Sequence, residues 1–151
     1  MMSAGRAAEL GAKVLLLEKN EHLGVKLLCT GKGRCNITNN TDEVKKMVDR
    51  YGKNGRFLFS AFSKFGVEDV VNFFEERGVK TKVERGERIF PESDRARDVL
   101  NALVKYLHQG EVEIMTSARV KNILVEKEEI KKIILESGQE LEADKYIICT
   151  G

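Results

Sequence analysis

The feature that most constrains this fold is the order of elements between residues 4 and 18. Residues 4–10 are rich in alanine and suit a helix, and Gly11 is a natural end for it. Residues 14–17 then form a continuous apolar run, as a strand buried in a parallel sheet requires. Glu18 follows this run directly. The order predicts a helix, a tight turn and a parallel strand that ends in a carboxylate.

The rest of the chain alternates between helical and strand spacing. Residues 24–40 are rich in Gly, Asn and Thr and are predicted to form a long loop. After that loop the spacing predicts helical segments at 57–65 and 67–74, and then a hairpin at 79–90 that turns at Arg85-Gly86. A helix from Ala96 to Leu107, capped by Ser93 or Asp94, is predicted next, and a strand at 112–115 follows it. The chain is then predicted to form a three-strand meander at 118–143, with turns near Glu128 and Gly138, and a buried strand at 146–149. This pattern predicts an α/β sheet of nucleotide-binding type with a helical and hairpin insertion and a β-meander.

Composition narrows the class of protein. The 151 residues suffice for one domain, and 42% of them are hydrophobic, as in globular proteins generally. The formal net charge of +2 gives no electrostatic reason to expect a nucleic-acid or membrane partner. Three cysteines without C-x-x-C spacing predict no metal site, and a reduced cytoplasm is the expected location.

Glu18 lies where a dinucleotide-binding fold needs an acidic residue. Such a fold runs from a first strand through a G-x-G-x-x-G turn into a helix, and a carboxylate about 20 positions on accepts from ribose hydroxyls. Gly11 and Glu18 fit the second half of that pattern, which puts the last glycine immediately before Met1. We therefore expect Glu18 to bind ribose, with the first strand and glycine loop missing. A surface carboxylate at a strand end is the alternative.

The loop at 24–39 has the composition of an anion and hydroxyl site. Gly31 and Gly33 allow positive φ and a close approach of backbone to an anion. Lys26 and Arg34 supply positive charge, and an arginine can span two phosphate oxygens. Asn36, Thr38 and Asn39 add neutral donors and acceptors suited to the hydroxyls or the polar edge of a bound ligand. A surface turn of ordinary loop residues is the alternative interpretation.

Two segments resemble one family. Residues 24–39, GVKLLCTGKGRCNITN, are similar to the G-x-K-x-x-x-(S/T)-G-x-G-R-C-N-x-T-N loop of the BaiN-like, or aminoacetone-oxidase-family, NAD(P)/FAD-dependent oxidoreductases. Residues 86–93, GERIFPES, match a second feature of that family. Residues 144–151 also resemble the strand and Thr-Gly turn that flavoproteins with two dinucleotide-binding domains carry after a meander. The resemblance covers nearly the whole chain.

The resemblance implies redox chemistry at FAD, with NAD(P)H as the expected co-substrate and a small molecule as substrate. Residues 1–151 are then expected to be a partial FAD-binding domain of Rossmann type, truncated at both ends. No catalytic acid or base is assigned. The residues expected to bind the cofactor are Glu18, Lys19, Gly24, Lys26, Gly31, Gly33, Arg34, Cys35, Asn36, Thr38, Val120 (through its backbone), Thr150 and Gly151.

Two side chains in these segments have open roles. Cys35 lies beside Arg34, which would favour a reactive thiolate, but we favour packing or proximity to flavin. Cys29 and Cys149 are predicted to be small buried hydrophobes. Arg88 suits a position near flavin or substrate and suits an exposed hairpin charge equally well.

The expected truncation leaves other functions open. Without the first strand, an unpaired sheet edge would invite self-association or a complementing segment, and the chain alone would bind FAD weakly or not at all. A non-catalytic remnant, or one module of a split protein, is therefore one alternative. An RNA-modifying flavoprotein is another, although the near-neutral charge disfavours it.

Overall fold

The computed structural model describes residues 1–41 and 43–150. Their contacts divide the chain into two compact units. The first unit is formed by Met1–Val25 together with the chain from Val104 onward, and the second by Lys26–Leu103. No helix within the described residues is long and apolar enough to cross a membrane.

Short helices and strands alternate along the chain. In chain order they are α1 (Met2–Glu9), β1 (Leu15–Leu17), α2 (Val25–Cys29), β2 (Thr38–Asn39), α3 (Val44–Asp49), α4 (Phe59–Lys64), α5 (Val67–Glu75), β3 (Thr81–Glu84), β4 (Arg88–Pro91), α6 (Ala96–Gln109), β5 (Glu113–Met115), β6 (Val120–Glu126), β7 (Glu129–Leu135) and β8 (Glu140–Leu141). Two 3₁₀ segments, Thr30–Gly33 and Gly52–Leu58, lie before β2 and α4.

The first unit is built on a parallel strand pair. Strand β1 pairs in parallel with β5, so that Leu16 lies opposite Ile114. Helix α1 ends before Gly11, whose φ of 89° is the left-handed conformation that favours glycine. Ala4 of α1 and Leu107 of α6 are buried in the core of this unit. The helix, turn and parallel strand predicted from the sequence are confirmed.

The first unit also contains the predicted meander. Strands β6, β7 and β8 form an antiparallel sheet in chain order. The turn between β6 and β7 places Lys127 and Glu128 at φ values of 50° and 64°, and Gly138 precedes β8 at 87°. Both predicted turns are therefore confirmed, and parallel and antiparallel sheets together confirm the mixed α/β class.

The prediction of a final strand at residues 146–149 is wrong. Residues 146–150 have no regular secondary structure, and Ile147 and Ile148 are 66% and 60% exposed. An apolar run becomes a strand only when a neighbouring strand satisfies its backbone groups. Within the described residues, no strand pairs with this segment.

The second unit packs helices against a small antiparallel sheet. Strand β4 is central, with β2 on one side and β3 on the other. Its Ile89 and Phe90 are 3% and 1% exposed. Phe73 and Phe74 of α5 are also buried, and their rings meet edge to face with centroids 5.1 Å apart. Helix α5 and the β3–β4 hairpin confirm the sequence prediction.

Three local predictions in the second unit are corrected. The region at 24–40 is not one loop, because it contains α2, a 3₁₀ turn and β2. Helix α6 begins at Ala96, so Arg95 rather than Ser93 or Asp94 precedes its first residue, and Ser93 Oγ donates to the Asp98 carboxylate within the first turn at 2.7 Å. The helical segment expected at 57–65 is a 3₁₀ turn followed by α4, and Phe57 is 90% exposed.

Candidate functional site

Glu18 is held in a defined orientation at the carboxyl end of β1. Its backbone N–H donates to the Met115 carbonyl at 2.9 Å, and its own carbonyl accepts from the Ala118 N–H at 2.9 Å. Its Oε1 accepts from the Asn20 N–H at 2.9 Å and from the Asn20 Nδ2 at 2.7 Å. No described residue donates to Oε2. The half-buried carboxylate thus keeps one oxygen available for a ligand hydroxyl.

Residues that follow β5 meet Glu18 at the same end of the parallel pair. The Ser117 N–H donates to the Asn20 carbonyl at 2.8 Å, and Ser117 has a φ of 53°. Val120 starts β6 two residues after Ala118, and it is 39% exposed. Lys19 is also exposed. The first unit therefore brings three predicted site residues, Glu18, Lys19 and Val120, to one strand end.

The glycine-rich turn of the second unit is left-handed. Gly31 and Lys32 have φ values of 55° and 57°, and Gly33 has 84°. A Cβ on Gly31 would lie 2.7 Å from the backbone nitrogen of Asn36 and 2.8 Å from a ring carbon of Phe90. A Cβ on Gly33 would meet nothing within 4 Å. Position 31 thus requires glycine for space and favours it for conformation, whereas position 33 favours it for conformation alone.

Arg34 is engaged inside the protein. Its Nη1 donates to both carboxylate oxygens of Glu84, at 2.9 and 3.0 Å, and to Asp94 at 3.1 Å. The guanidinium lies 4.1 Å from the centroid of the buried Phe90 ring. Lys82 donates to Asp94 at 2.6 Å and lies 3.5 Å from Glu84. Since Nε and Nη2 donate to no described residue, one edge of the guanidinium remains available to an anion.

The charges around Arg34 set the ionisation of Asp94. The hydrogen bond from Lys82, and after it the one from Arg34, lowers the pKa of the Asp94 carboxyl below its ordinary value. The carboxylate therefore stays ionised in the folded chain and bridges two cations. Arg34, Lys82, Glu84 and Asp94 are called the ion-pair network below.

Cys35 faces the protein interior. It is 5% exposed and has a φ of 62°, and its N–H donates to the Thr30 carbonyl at 3.1 Å. Burial raises the pKa of the thiol, and a hydrogen bond with Thr30 offsets only part of that effect. A thiolate is disfavoured here, which supports packing over nucleophilic chemistry. Cys29 and Cys149 were predicted to be buried, and this is wrong, because both are exposed.

The two signature segments pack against each other. The Ile37 N–H donates to the Ile89 carbonyl at 2.8 Å, and Thr38 pairs with Ile89 across the strands. In the amide orientation that satisfies both of its ends, the Asn36 side-chain nitrogen donates to the Thr38 carbonyl at 3.0 Å and to the Ile89 carbonyl at 3.3 Å. The Asn39 amide donates to the Gly86 carbonyl at 3.0 Å. The polar residues of the loop therefore hold β2 against the β3–β4 hairpin.

The remaining predicted site residues lie apart from these contacts. Gly24, with a φ of 74°, precedes α2, where Lys26 is exposed. Thr150 is exposed, and Gly151 lies outside the described residues. Arg88 is exposed, and its Nε donates to the Arg85 carbonyl at 3.0 Å within its own hairpin.

Sequence reasoning missed the residues that orient the predicted ones. Asn20 carries a detectable signal, because an amide two residues after a strand-end carboxylate is within reach of it. Glu84 and Asp94 carry none, because they follow Arg34 by 50 and 60 positions and only the folded hairpin brings them to it.

Comparison with known proteins places the chain in a family. A family profile described as the HI0933-like protein Rossmann domain matches residues 1–151. The chain belongs to this family. The predicted Rossmann-type fold and the predicted family resemblance are confirmed. The two signature segments of this HI0933-like domain are thus the ones that pack together in its second unit.

Two curated relatives are similar to this HI0933-like domain. The 3-dehydro-bile acid delta(4,6)-reductase of Clostridium scindens is 35% identical over 140 residues, which cover 93% of this chain and 33% of the relative. The ribosomal RNA dihydrouridine synthase of Escherichia coli is 26% identical over 151 residues, which cover 100% of this chain and 36% of the relative. The chain spans about a third of the length of both relatives.

Proposed function

We propose that this chain supplies the adenosine-binding part of an FAD-dependent oxidoreductase. The observation that carries the proposal is the Glu18 carboxylate, which follows a parallel strand directly and keeps Oε2 available. Ligands of open parallel sheets bind outside the carboxyl ends of the strands, where an acidic residue accepts from ribose hydroxyls. The similarity to a named reductase supports redox chemistry.

The residues present fit the adenosine half of FAD. Glu18 would accept from the ribose hydroxyls, and its charge would repel a 2′-phosphate. The backbone at Val120 would contact the adenine from the strand that starts beside Glu18. Bound FAD would supply hydride or electron transfer, with NAD(P)H as the proposed reductant and a small organic molecule as the proposed substrate.

The second unit supports the proposal through the shape of its loop. The left-handed residues at 31–33 turn the backbone sharply, and such turns can present N–H groups to an anion. The ion-pair network and Phe90 fix Arg34 beside this turn and leave its Nε and Nη2 edge for phosphate or flavin oxygens. Arg34 would then both hold the loop in place and offer its Nε and Nη2 donors to an anion.

An FAD titration tests the proposal. Flavin fluorescence and the visible spectrum would be followed with the 151-residue chain and with the same chain extended at its N-terminus by a strand and a G-x-G-x-x-G turn. We expect saturable binding by the extended chain, with a perturbed flavin spectrum. ADP should compete, because it carries the ribose that Glu18 would bind. If neither protein binds FAD or ADP, the proposal is wrong.

A second candidate function is flavin-dependent reduction of a base in RNA. The observation that favours it is the similarity to a ribosomal RNA dihydrouridine synthase along all 151 residues. The overall charge of +2 does not support a general affinity for RNA, so this function needs a local basic surface. Incubation of a longer protein containing this domain with ribosomal RNA and NADPH, followed by nucleoside analysis for dihydrouridine, distinguishes the two functions.

A further inference from the structure

Positive charge and aromatic rings are concentrated in one segment of the second unit. Residues 44–65 contain six lysine and arginine residues and one carboxylate, in a chain whose total charge is only +2. The same residues include five of the ten aromatic side chains of the protein. Residues 44–65 are therefore strongly basic and rich in aromatic residues, although the whole chain is nearly neutral.

Part of this segment forms an open groove of about 640 Å³. Its lining residues are Tyr51, Lys53, Asn54, Phe57 and Leu58. Phe57 is 90% exposed and Tyr51 is 55% exposed, which leaves two ring faces to solvent. The Tyr51 and Phe62 ring centroids lie 5.8 Å apart, which is within the range of aromatic contacts.

The groove is fixed to a packed scaffold. Met47 and Val48 of α3 are 8% and 5% exposed, and the Tyr51 N–H donates to the Val48 carbonyl at 3.0 Å. A Cβ on Gly55 would lie 2.0 Å from the Val48 carbonyl oxygen, so the 3₁₀ turn approaches α3 as closely as glycine allows. The exposed rings thus stand on an ordered base.

Lys46 pairs with Glu43 at 2.8 Å, but most other cations of the segment make no ion pair within the described chain. Lys45, Lys53, Arg56 and Lys64 make no ion pair with any described residue. By contrast, Lys82, Lys131 and Lys132 elsewhere each pair with a carboxylate within 2.7 Å. The positive charge of Lys53, which lines the groove, and of Arg56, which precedes Phe57 in the chain, is therefore available to an anionic partner.

We infer that this groove binds a short single-stranded RNA. Bases stack on exposed rings whatever their sequence, while neighbouring cations contact the phosphates. Phe57 and Tyr51 supply the rings, Lys53 and Arg56 the cations, and the Asn54 amide a hydrogen-bonding group for a 2′-hydroxyl. An acidic peptide would use the cations but leave the Phe57 face without a stacked partner. The inference adds a binding surface to the second candidate function, but it does not depend on flavin.

Fluorescence anisotropy with a labelled oligouridylate of about twelve nucleotides tests the inference on the 151-residue chain. We expect saturable binding that weakens from about 50 to about 200 mM salt. Phe57→Ala should weaken binding roughly tenfold, because one stacked base is lost. Lys53→Glu should weaken binding and reduce the salt dependence, because a phosphate contact is removed.

Two control variants make the same chemical changes outside the groove. Ile147→Ala truncates another exposed apolar side chain, and Lys127→Glu makes the same charge change in the β6–β7 turn. Circular dichroism would confirm that all four variants are folded. Equal losses in Lys53→Glu and Lys127→Glu would overturn the inference, since net charge alone would then explain binding.

Three further outcomes would also overturn it. An oligodeoxythymidylate that binds as tightly as the oligouridylate would contradict recognition of a 2′-hydroxyl. Binding to phosphatidylserine vesicles without binding to the oligouridylate would assign the surface to a membrane. Absence of RNA binding would reject this surface but leave the FAD titration unaffected, so the two proposals fail separately.

Discussion

Glu18 and Arg34 were both predicted to touch the cofactor, yet the fold uses them differently. Glu18 ends a strand, accepts two hydrogen bonds at Oε1 and keeps Oε2 available. Arg34 donates to two carboxylates and lies against Phe90. The difference teaches that a charged residue in a signature motif can stabilise the motif as well as serve a ligand. The residues that contact it in the folded chain decide how many of its donors or acceptors remain available to a ligand.

The largest effect should come from the glycine turn that carries Arg34. In Gly31→Ala, the added Cβ would collide with Asn36 and Phe90 and would occupy a φ of 55°. We expect a loss of about 3 kcal/mol in the free energy of unfolding, measured by urea denaturation. Gly33→Ala is the matched control, because its Cβ meets open space, and it should lose about 1 kcal/mol. Equal losses would show that space inside the turn is not limiting.

A pair of variants should separate a ligand group from a structural one. In Glu18→Gln, the amide oxygen still accepts from Asn20, but the charge and one acceptor are lost. We expect FAD affinity in the extended chain to fall roughly tenfold to a hundredfold, with unfolding nearly unchanged. In Arg34→Met, which keeps an apolar contact with Phe90, the urea midpoint should fall. If Glu18→Gln lowers the midpoint and leaves affinity intact, the comparison between these residues is wrong.

The same contrast explains what the sequence could predict. Helix α1, strand β1 and the β3–β4 hairpin depend on local spacing and turn residues, and all were predicted. Residues 146–149 have an equally apolar pattern but no strand beside them, and local spacing does not reveal a missing neighbour. The exposure of Phe57 is a similar case, because helical spacing indicates a shared face without showing what covers it.

In the candidate site too, only the features that depend on the local sequence could be predicted. Glu18 follows a strand whose end is set by the local sequence, so its place was found. The partners of Arg34 lie 50 and 60 residues away, and their charges resemble those of any surface carboxylate. Only the folded hairpin brings them together, which is why the ion-pair network was missed.

Cysteine labelling should test whether the Cys35 side chain faces inward from the glycine turn. Cys29 and Cys149 are exposed, whereas Cys35 is buried and its raised pKa disfavours the thiolate. Iodoacetamide should therefore modify Cys29 and Cys149 in the native chain at least roughly tenfold faster than Cys35. Peptide mapping by mass spectrometry gives the three rates. In urea the three rates should converge, and a fast native rate at Cys35 would place the thiol at the surface.

The smallest effect should be the pH dependence of the ion-pair network. Because Lys82 and Arg34 lower the pKa of Asp94 below its ordinary 3.8, the folded chain binds this proton more weakly than the unfolded chain does. The resulting stabilisation is complete above the unfolded pKa and is lost as pH falls through the lower folded pKa. Asp94→Asn should therefore be less stable than the parent chain at about pH 6, and the gap should narrow at about pH 3.

Asp144→Asn is the matched control for this last effect, because Asp144 makes no ion pair with any described residue. Urea midpoints at the two pH values should show no narrowing gap for that variant. A gap for Asp94→Asn that stays constant with pH would mean that the carboxylate stabilises the hairpin through its shape and hydrogen bonding rather than its charge. The network would then owe its contribution to its hydrogen bonds and to the packing of Arg34 on Phe90 rather than to the charge of Asp94.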